Sequence, residues 1–241
     1  METKSLNFGK DTTIFCDMDG VLVDFAGAAI DKLNKILEAG ETYHLFSYSK
    51  TARKAYSKII QELGKDWRAS KESDLEIKSV KNLLMSVISR NPGKWFQELD
   101  PLEDGIGELW PLLNSMGRKV CLLTAGIPGR ESAITAEDGK KAWAKKYLTP
   151  APSQIIVTKA IEKVNEAINS DGTANILIDD KKKTIDAWNE AGGFGILHQP
   201  GNSQRSIKEL NRIKDLLLVK KEASLLVRTN LINKYYRLIK A

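Results

Sequence analysis

The chain has only two cysteines, too few for a disulfide framework, and both sit inside short apolar runs, Cys16 in IFCD and Cys121 in VCLLT. They read as buried strand residues of a reducing compartment, not as a bridge or a catalytic thiol. Proline and glycine, at 7 and 17 residues, are too sparse for a collagen-like or low-complexity chain. No uninterrupted apolar run of about 18 residues occurs, which argues against a spanning helix. The opening METKSLNFGKDTT has neither a basic-then-apolar leader pattern nor an Arg-rich amphipathic one, so a soluble cytoplasmic protein is expected. The two histidines, His44 and His198, read as surface or strand-end residues, not as ligands.

What is present is globular: 42% hydrophobic and 28% charged residues in a chain of 241. That length can bury well over half of its unfolded surface in one large domain, or in a core domain carrying a smaller insertion. The net charge of +6 is unevenly spread. From Arg205 to Ala241 there are ten lysines and arginines against three acids, so this segment carries +7 and the remainder about −1.

Five short apolar or β-branched runs recur with helical patterns between them: TTIFCD (12–17), KVCLLT (119–124), QIIVT (154–158), NILID (175–179) and FGILH (194–198). Apolar residues at three-and-four spacing predict helices over 103–116, 133–148, 159–169, 182–191 and 204–218. Continuous apolar strands alternating with helices imply an α/β doubly wound parallel sheet, covered on both faces. About a hundred residues separate the first two strands, where a crossover needs a few dozen. The expected organisation is therefore an α/β core of residues 1–24 and 92–219, a helical cap at 25–91, and a basic C-terminal helix at 220–241. The cap is expected over the C-terminal ends of the strands, because the chain leaves the sheet there.

The candidate chemistry lies at that same edge. The first strand ends in Asp17-Met18-Asp19-Gly20, two carboxylates two residues apart where α/β folds bind ligands. Like charges so close call for a cation or a proton between them, although an Asp-Gly turn with a helix cap is the plainer alternative. The second strand ends in Thr124-Ala125-Gly126, a hydroxyl and loop amides suited to phosphate oxygens. The fourth ends in a second acidic pair, Asp179-Asp180, of which a helix N-cap would explain only one. Between them lie Lys140 and Lys141, in a segment where lysines are commonly solvated.

Taken in order, DMDGVLVD, LLTAG, Lys140 and IDD resemble the four motifs of the haloacid-dehalogenase-like superfamily. More closely, DMDGVLVDF, WFQELDPLEDG, the K-x-x-W of Lys140 to Trp143, and ILIDDKKKTIDAWNEAGGFGILH look like 5'(3')-deoxyribonucleotidases of cytosolic, mitochondrial, bacterial and phage-encoded type. The resemblance spans roughly 12–30 and 93–214 and leaves the insertion and the tail after about Leu218 without counterpart.

The resemblance implies a nucleophile at Asp17, forming an aspartyl-phosphate. It implies a general acid and base at Asp19, a position where dehalogenases of the superfamily lack an acid. Mg²⁺ would be held by Asp17, the main-chain carbonyl of Asp19, and Asp179, with Asp180 either supporting the metal or capping a helix. Lys140 would neutralise the phosphoryl group and keep Asp17 ionised, with Lys141 as the competing candidate one residue along. Thr124 and the Ala125 and Gly126 amides would hold the phosphate. Ala125 departs from the family, whose close members often carry Ser there.

Base stacking would fall to aromatics near the cap: Phe25, Tyr43, Phe46, Tyr48, Trp67, Trp95 and Phe96, with Phe25 and Trp95 placed best, although each also suits a core role. The C-terminal segment, with Leu225, Ile232 and Ile239 at sevenfold spacing beside Tyr235 and Tyr236, reads as an amphipathic helix. It would pack on its own body or form a homodimer. Nucleic acid is the alternative partner, and a membrane surface is not expected. The expected function is Mg²⁺-dependent hydrolysis of a small phosphomonoester, a 5' or 3' (deoxy)nucleoside monophosphate. Nucleic-acid ends or a non-nucleotide metabolite are alternatives, as is a non-catalytic binding protein of the same fold.

Overall fold

The computed structural model describes residues 8–38, 85, 88–127 and 134–215. Five strands form one sheet in the order β3-β2-β1-β4-β5, every pairing parallel: β1 (Thr13–Cys16), β2 (Lys119–Ala125), β3 (Gln154–Thr158), β4 (Ile176–Asp179) and β5 (Phe194–Leu197). The helices are α1 (Phe25–Glu38), α2 (Pro92–Gln97), α3 (Trp110–Ser115), α4 (Ala136–Tyr147), α5 (Lys182–Glu190) and α6 over 204–215. This is the doubly wound α/β fold expected from the apolar runs.

Strand alternation splits the core in two. Ile14, Cys16, Val120, Leu122, Ile176 and Ile178 pack on one face with Trp110, Trp143, Leu210 and Ile213. Phe15, Cys121, Leu123 and Leu177 pack on the other with Ile185 and Trp188. Cys16 and Cys121 are free, buried thiols. The buried indoles each donate inside the protein: Trp110 Nε1 to the Pro150 carbonyl at 2.9 Å, Trp143 Nε1 to that of Leu99 at 2.8 Å, Trp188 Nε1 to that of Asn175 at 3.3 Å.

Register sets the site. Cys16 pairs with Leu122 on one side and Ile178 on the other, and the Asp17 amide donates to the Ile178 carbonyl at 2.8 Å. Asp17 thus stands level with Asp179, on the two sides of the point where strand order reverses. After Asp17 the chain makes one tight turn: the amides of Val21, Leu22 and Val23 converge on the Met18 carbonyl, with Gly20 at φ 78°. The outgoing chain is then tied to the returning one. Asp24 N donates to Asp100 O at 3.0 Å, Leu102 N to Leu22 O at 2.8 Å, and Val23 bridges Pro101.

Two helices differ from expectation. The predicted 103–116 helix is interrupted by a π-helical stretch, Gly105–Leu109, before α3. The predicted 159–169 helix is a 3-10 helix, Ala160–Glu166, after which a turn held by Asn169, Thr173 and Asn175 leads directly into β4. Of the expected cap, α1 and the approach to α2 are described. Residues 39–84, 86 and 87, with Tyr43, His44, Phe46, Tyr48 and Trp67, and the C-terminal helix at 220–241, lie outside the described residues.

Candidate active site

Asp17 is buried at the end of β1, its Oδ1 accepting from the Met18 amide at 2.8 Å. Its Oδ2 is ion-paired with Lys163 Nζ at 2.9 Å, and the same ammonium lies 2.7 Å from Asp179 Oδ2. Asp179, at the end of β4, accepts from the Lys181 amide through Oδ1 at 2.8 Å. One buried lysine thus joins the two carboxylates that the register brings level. Asp180 completes an acidic group with them, carboxylate oxygens of all three lying within 4.8 Å of one another.

The second half of the site is built around Lys140 on α4. Its Nζ, fully buried, donates to Asp19 Oδ2 at 2.9 Å and to Thr124 Oγ1 at 2.7 Å, and lies 4.1 Å from the Phe96 ring centroid. The other oxygen of Asp19, Oδ1, is buried and has no hydrogen-bond partner among the described residues. Lys140 reaches this place because α4 packs against α2 at Gly139 and Gly93, where a Cβ on Gly139 would overlap the Gly93 carbonyl oxygen. The start of α4 is fixed by Thr135, whose hydroxyl accepts from the Asp138 amide while Asp138 accepts from the Thr135 amide.

Burial drives these groups toward neutrality, and their neighbours oppose it. For Asp17, burial raises the pKa, but Lys163, Lys181 and Lys140 outweigh it and hold the carboxyl down at about 2. Asp179 goes the other way: burial and the neighbouring Asp17 charge push it up to about 7 despite Lys163. Burial lowers Lys140, with Asp19 and Asp17 opposing. Lys163 is held above its ordinary value because Asp17 and Asp179 overcome its desolvation. At the rim, the acids Asp17, Asp180, Asp179 and Asp19 likewise overcome the desolvation of Lys181. Burial raises the Cys16 thiol well above its usual range, so the residue beside Asp17 is inert.

Four carboxylates (17, 19, 179, 180) against three ammonium groups (140, 163, 181) give the site a formal charge of −1. A site of that sign repels a phosphomonoester dianion, and its oxygen-only acidic group is the donor set that a hard divalent cation requires. The residues present therefore fit such an ion.

The structure brings together Asp17, Asp19, Thr124, Lys140, Asp179 and Asp180, drawn from β1, β2, α4 and β4. Lys140 helps hold the Asp17 carboxyl down, as expected, but a second lysine shares that part. The ammonium in contact with Asp17 is that of Lys163, while Lys140 clamps Asp19 and Thr124 and acts on Asp17 only through space. Lys141 faces outward and pairs with Glu137 at 2.6 Å, which removes it as the alternative to Lys140. The Gly126 amide, expected on phosphate, donates to the Thr158 carbonyl at 3.0 Å because β2 continues through Ala125 alongside β3. Among the aromatics, Phe25 meets Trp95 edge-on at 5.9 Å and stacks near Phe96 at 6.3 Å, beside Lys140. The Trp95 Nε1 hydrogen is buried and without a partner among the described residues. His198 is buried with Nδ1 3.1 Å from Ser206 Oγ, and its backbone amide donates to the Asp179 carbonyl at 2.9 Å.

Lys163 and Lys181 were not among the sequence candidates. Lys163, in KAIEKVNEA, has the look of a solvated helix face. Its one signal is position: like Asp17, Thr124 and Asp179, it lies at or beyond the C-terminal end of a strand.

No family model and no curated protein matches the chain. Solved structures similar to it include YfnB from Bacillus subtilis, described as a HAD-hydrolase and bound to magnesium, at 15% identity and TM-score 0.48, covering 78% of this chain and 89% of that one. A haloacid dehalogenase-like family hydrolase from Streptococcus pneumoniae is similar at 16% identity and TM-score 0.47, covering 83% and 91%. A subfamily IA HAD-superfamily hydrolase from Geobacter sulfurreducens is similar at 12% identity and TM-score 0.44, covering 79% and 88%. No helix among the described residues is long and apolar enough to cross a membrane.

Proposed function

We propose that the chain is a phosphomonoesterase of the haloacid-dehalogenase type, acting through an aspartyl-phosphate on (deoxy)nucleoside monophosphates. The observation that carries this reading is the contrast between the two carboxylates of Asp17-Met18-Asp19. Asp17 is ionised and fixed by the Met18 amide and Lys163, as a nucleophile must be. Asp19 is held through one oxygen by Lys140, and its other oxygen, Oδ1, has no hydrogen-bond partner among the described residues. That is the arrangement a proton-transferring group needs.

In the first step an Asp17 carboxylate oxygen attacks phosphorus in line, the bond from phosphorus to the ester oxygen breaks, and Asp19 gives that oxygen its proton. In the second, Asp19 takes a proton from water as the water oxygen attacks phosphorus, releasing inorganic phosphate and restoring the Asp17 carboxylate. Lys140 and the Thr124 hydroxyl bind phosphoryl oxygens from one side, and Lys163 keeps Asp17 aimed and charged. A divalent cation, Mg²⁺ in this reading, would be held by Asp17, Asp179 and Asp180 with the Asp19 carbonyl, and supplies neutralisation of the phosphoryl charge. Phe25 and Trp95, which adjoin each other while Phe25 also stacks near the Phe96 ring under Lys140, would meet the remainder of the substrate in this reading. Their neighbourhood and the resemblance of DMDGVLVDF and ILIDDK to deoxyribonucleotidases support the nucleotide assignment.

The test is phosphate release from nucleoside 5'- and 3'-monophosphates, sugar phosphates and a 3'-phosphorylated oligonucleotide, with Mg²⁺ and with chelator, beside Asp17→Asn. Chelator-sensitive hydrolysis centred on deoxynucleotides, absent in the variant, is expected. Undiminished turnover by Asp17→Asn would remove the nucleophile assignment. Silence of the wild type across the panel would favour a binding protein of this fold.

A further inference from the structure

Lys163 comes from an unusual support. Ala160–Glu166 is a 3-10 helix of seven residues, longer than such helices usually run without outside help. Both of its ends are held by side chains. At the start, the Glu162 carboxylate accepts from Thr158 Oγ1 at 2.9 Å, from Lys159 Nζ at 2.9 Å and from the Lys159 amide at 3.4 Å, tying the first turn to the end of β3. At the end, Asn175 Nδ2 donates to the Glu166 carbonyl at 2.8 Å, and the Asn175 amide donates to Ala167 O at 2.9 Å.

Asn175 does more than cap that turn. Buried at the opposite end of β4 from Asp179, its Oδ1 accepts from the Thr13 amide, the first residue of β1, at 2.7 Å. A reciprocal pair with Asn169 at 3.0 Å uses the rest of its capacity, so all four hydrogen-bonding positions of the amide are filled. One side chain thus joins the strand that carries Asp17, the strand that carries Asp179 and the helix that carries the lysine between them.

We propose that Asn175, with Glu162 at the other end, is a positioning residue of the site, setting where Lys163 stands between Asp17 and Asp179 by anchoring the 3-10 helix to the feet of β1 and β4. Its kinetic consequence rests on the phosphatase reading; its structural consequence does not.

The decisive variant is Asn175→Asp, which keeps the shape and the acceptor for Thr13 but replaces the donor to Glu166 with an oxygen. Two readouts are taken on the full chain. In urea unfolding, a double-mutant cycle of Asn175→Asp with Lys163→Met is expected to show coupling of about tenfold in the unfolding constant, where independent sites agree within about a factor of two. In phosphate release, Asn175→Asp is expected to lower kcat about 10- to 100-fold with little change in KM, the cost of a misplaced group. The control Asn169→Ala removes the loop contacts but leaves the Glu166 anchor, and is expected to be additive with Lys163→Met and near wild type in kcat. Should Asn175→Asp fail to fold, Glu162→Ala, at a half-buried position, tests the same helix from its other end by the same cycle. Additivity with Lys163→Met, or an unchanged kcat in an active enzyme, overturns the proposal. A wild type without phosphatase activity removes the functional reading and leaves the cycle to decide the positioning.

Discussion

Asp17 and Asp179 share one ammonium, yet they settle at opposite ends of the carboxylate range, about 2 and about 7. Each sign has a consequence for stability. Asp17 is lowered relative to an unfolded Asp near 3.9, so its contribution is fully present above about pH 4 and is lost as pH falls toward 2. Asp179 is raised, so its contribution is present below about pH 4 and is lost as pH rises to about 7. Metal-free protein should therefore lose roughly 5–10 °C in Tm between pH 5 and 8, a fall that saturating Mg²⁺ should largely remove by giving both carboxylates a counter-charge. Thermal melts with chelator and with Mg²⁺ check this: an equal fall in both would show that the acidic group binds no cation, and a flat Tm with chelator would show that Asp179 is not raised. Replacing the shared ammonium is expected to be costly: Lys163→Met leaves buried charge uncompensated and should destabilise the metal-free protein by about 3 kcal/mol, read by urea unfolding. At this scale the acids were legible in the sequence because DMDG and IDD end apolar strands. Lys163 was not, because burial of a lysine is decided by tertiary packing that its own neighbours, KAIEKVNEA, do not encode.

The contact between α2 and α4 is made backbone to backbone at Gly93 and Gly139, and Lys140 is the next residue. A methyl group on Gly139 has no room beside the Gly93 carbonyl, and neither helix backbone can yield as a side chain would. Gly139→Ala is expected to cost about 1–3 kcal/mol by overpacking, measured by urea unfolding, and to lower kcat as Lys140 moves from Asp19 and Thr124. A stable variant with unchanged kcat would show that this crossing does not set the lysine. Elements held by their own periodicity were legible: QIIVT became β3 at both predicted ends, and the other strands shifted by a residue or so. Those held from outside were not. The 3-10 helix has an ordinary helical pattern and owes its form to Glu162 and Asn175, and the π-helical stretch at Gly105–Leu109 interrupts a sequence whose spacing alone reads as one helix. Gly126 was misassigned for a related reason: only strand pairing, with Ala125 beside Thr158, reveals that its amide is already used.

For the whole molecule the deciding quantity is where charge lies. With every acid ionised the site carries a formal −1 without a cation and +1 with a divalent one, whereas the segment from Arg205 to Ala241 carries +7. If the substrate is a mononucleotide, its contacts are with the site alone, a few charges are involved, and raising salt should weaken kcat/KM only modestly. If the substrate is the phosphorylated end of a nucleic acid, the basic segment joins the contact and each neutralised phosphate releases counterions. With six or more such contacts, kcat/KM would then fall about 10³-fold or more between 50 and 200 mM salt. The nucleotidase reading predicts the first outcome: a change of less than about tenfold for a deoxynucleoside monophosphate over that range, and no preference for a 3'-phosphorylated oligonucleotide at any salt. Parallel kcat/KM measurements on the two substrates across that range distinguish the cases. A steep fall confined to the oligonucleotide, with the higher rate at low salt, would assign the basic segment to substrate binding and replace the mononucleotide with a nucleic-acid end.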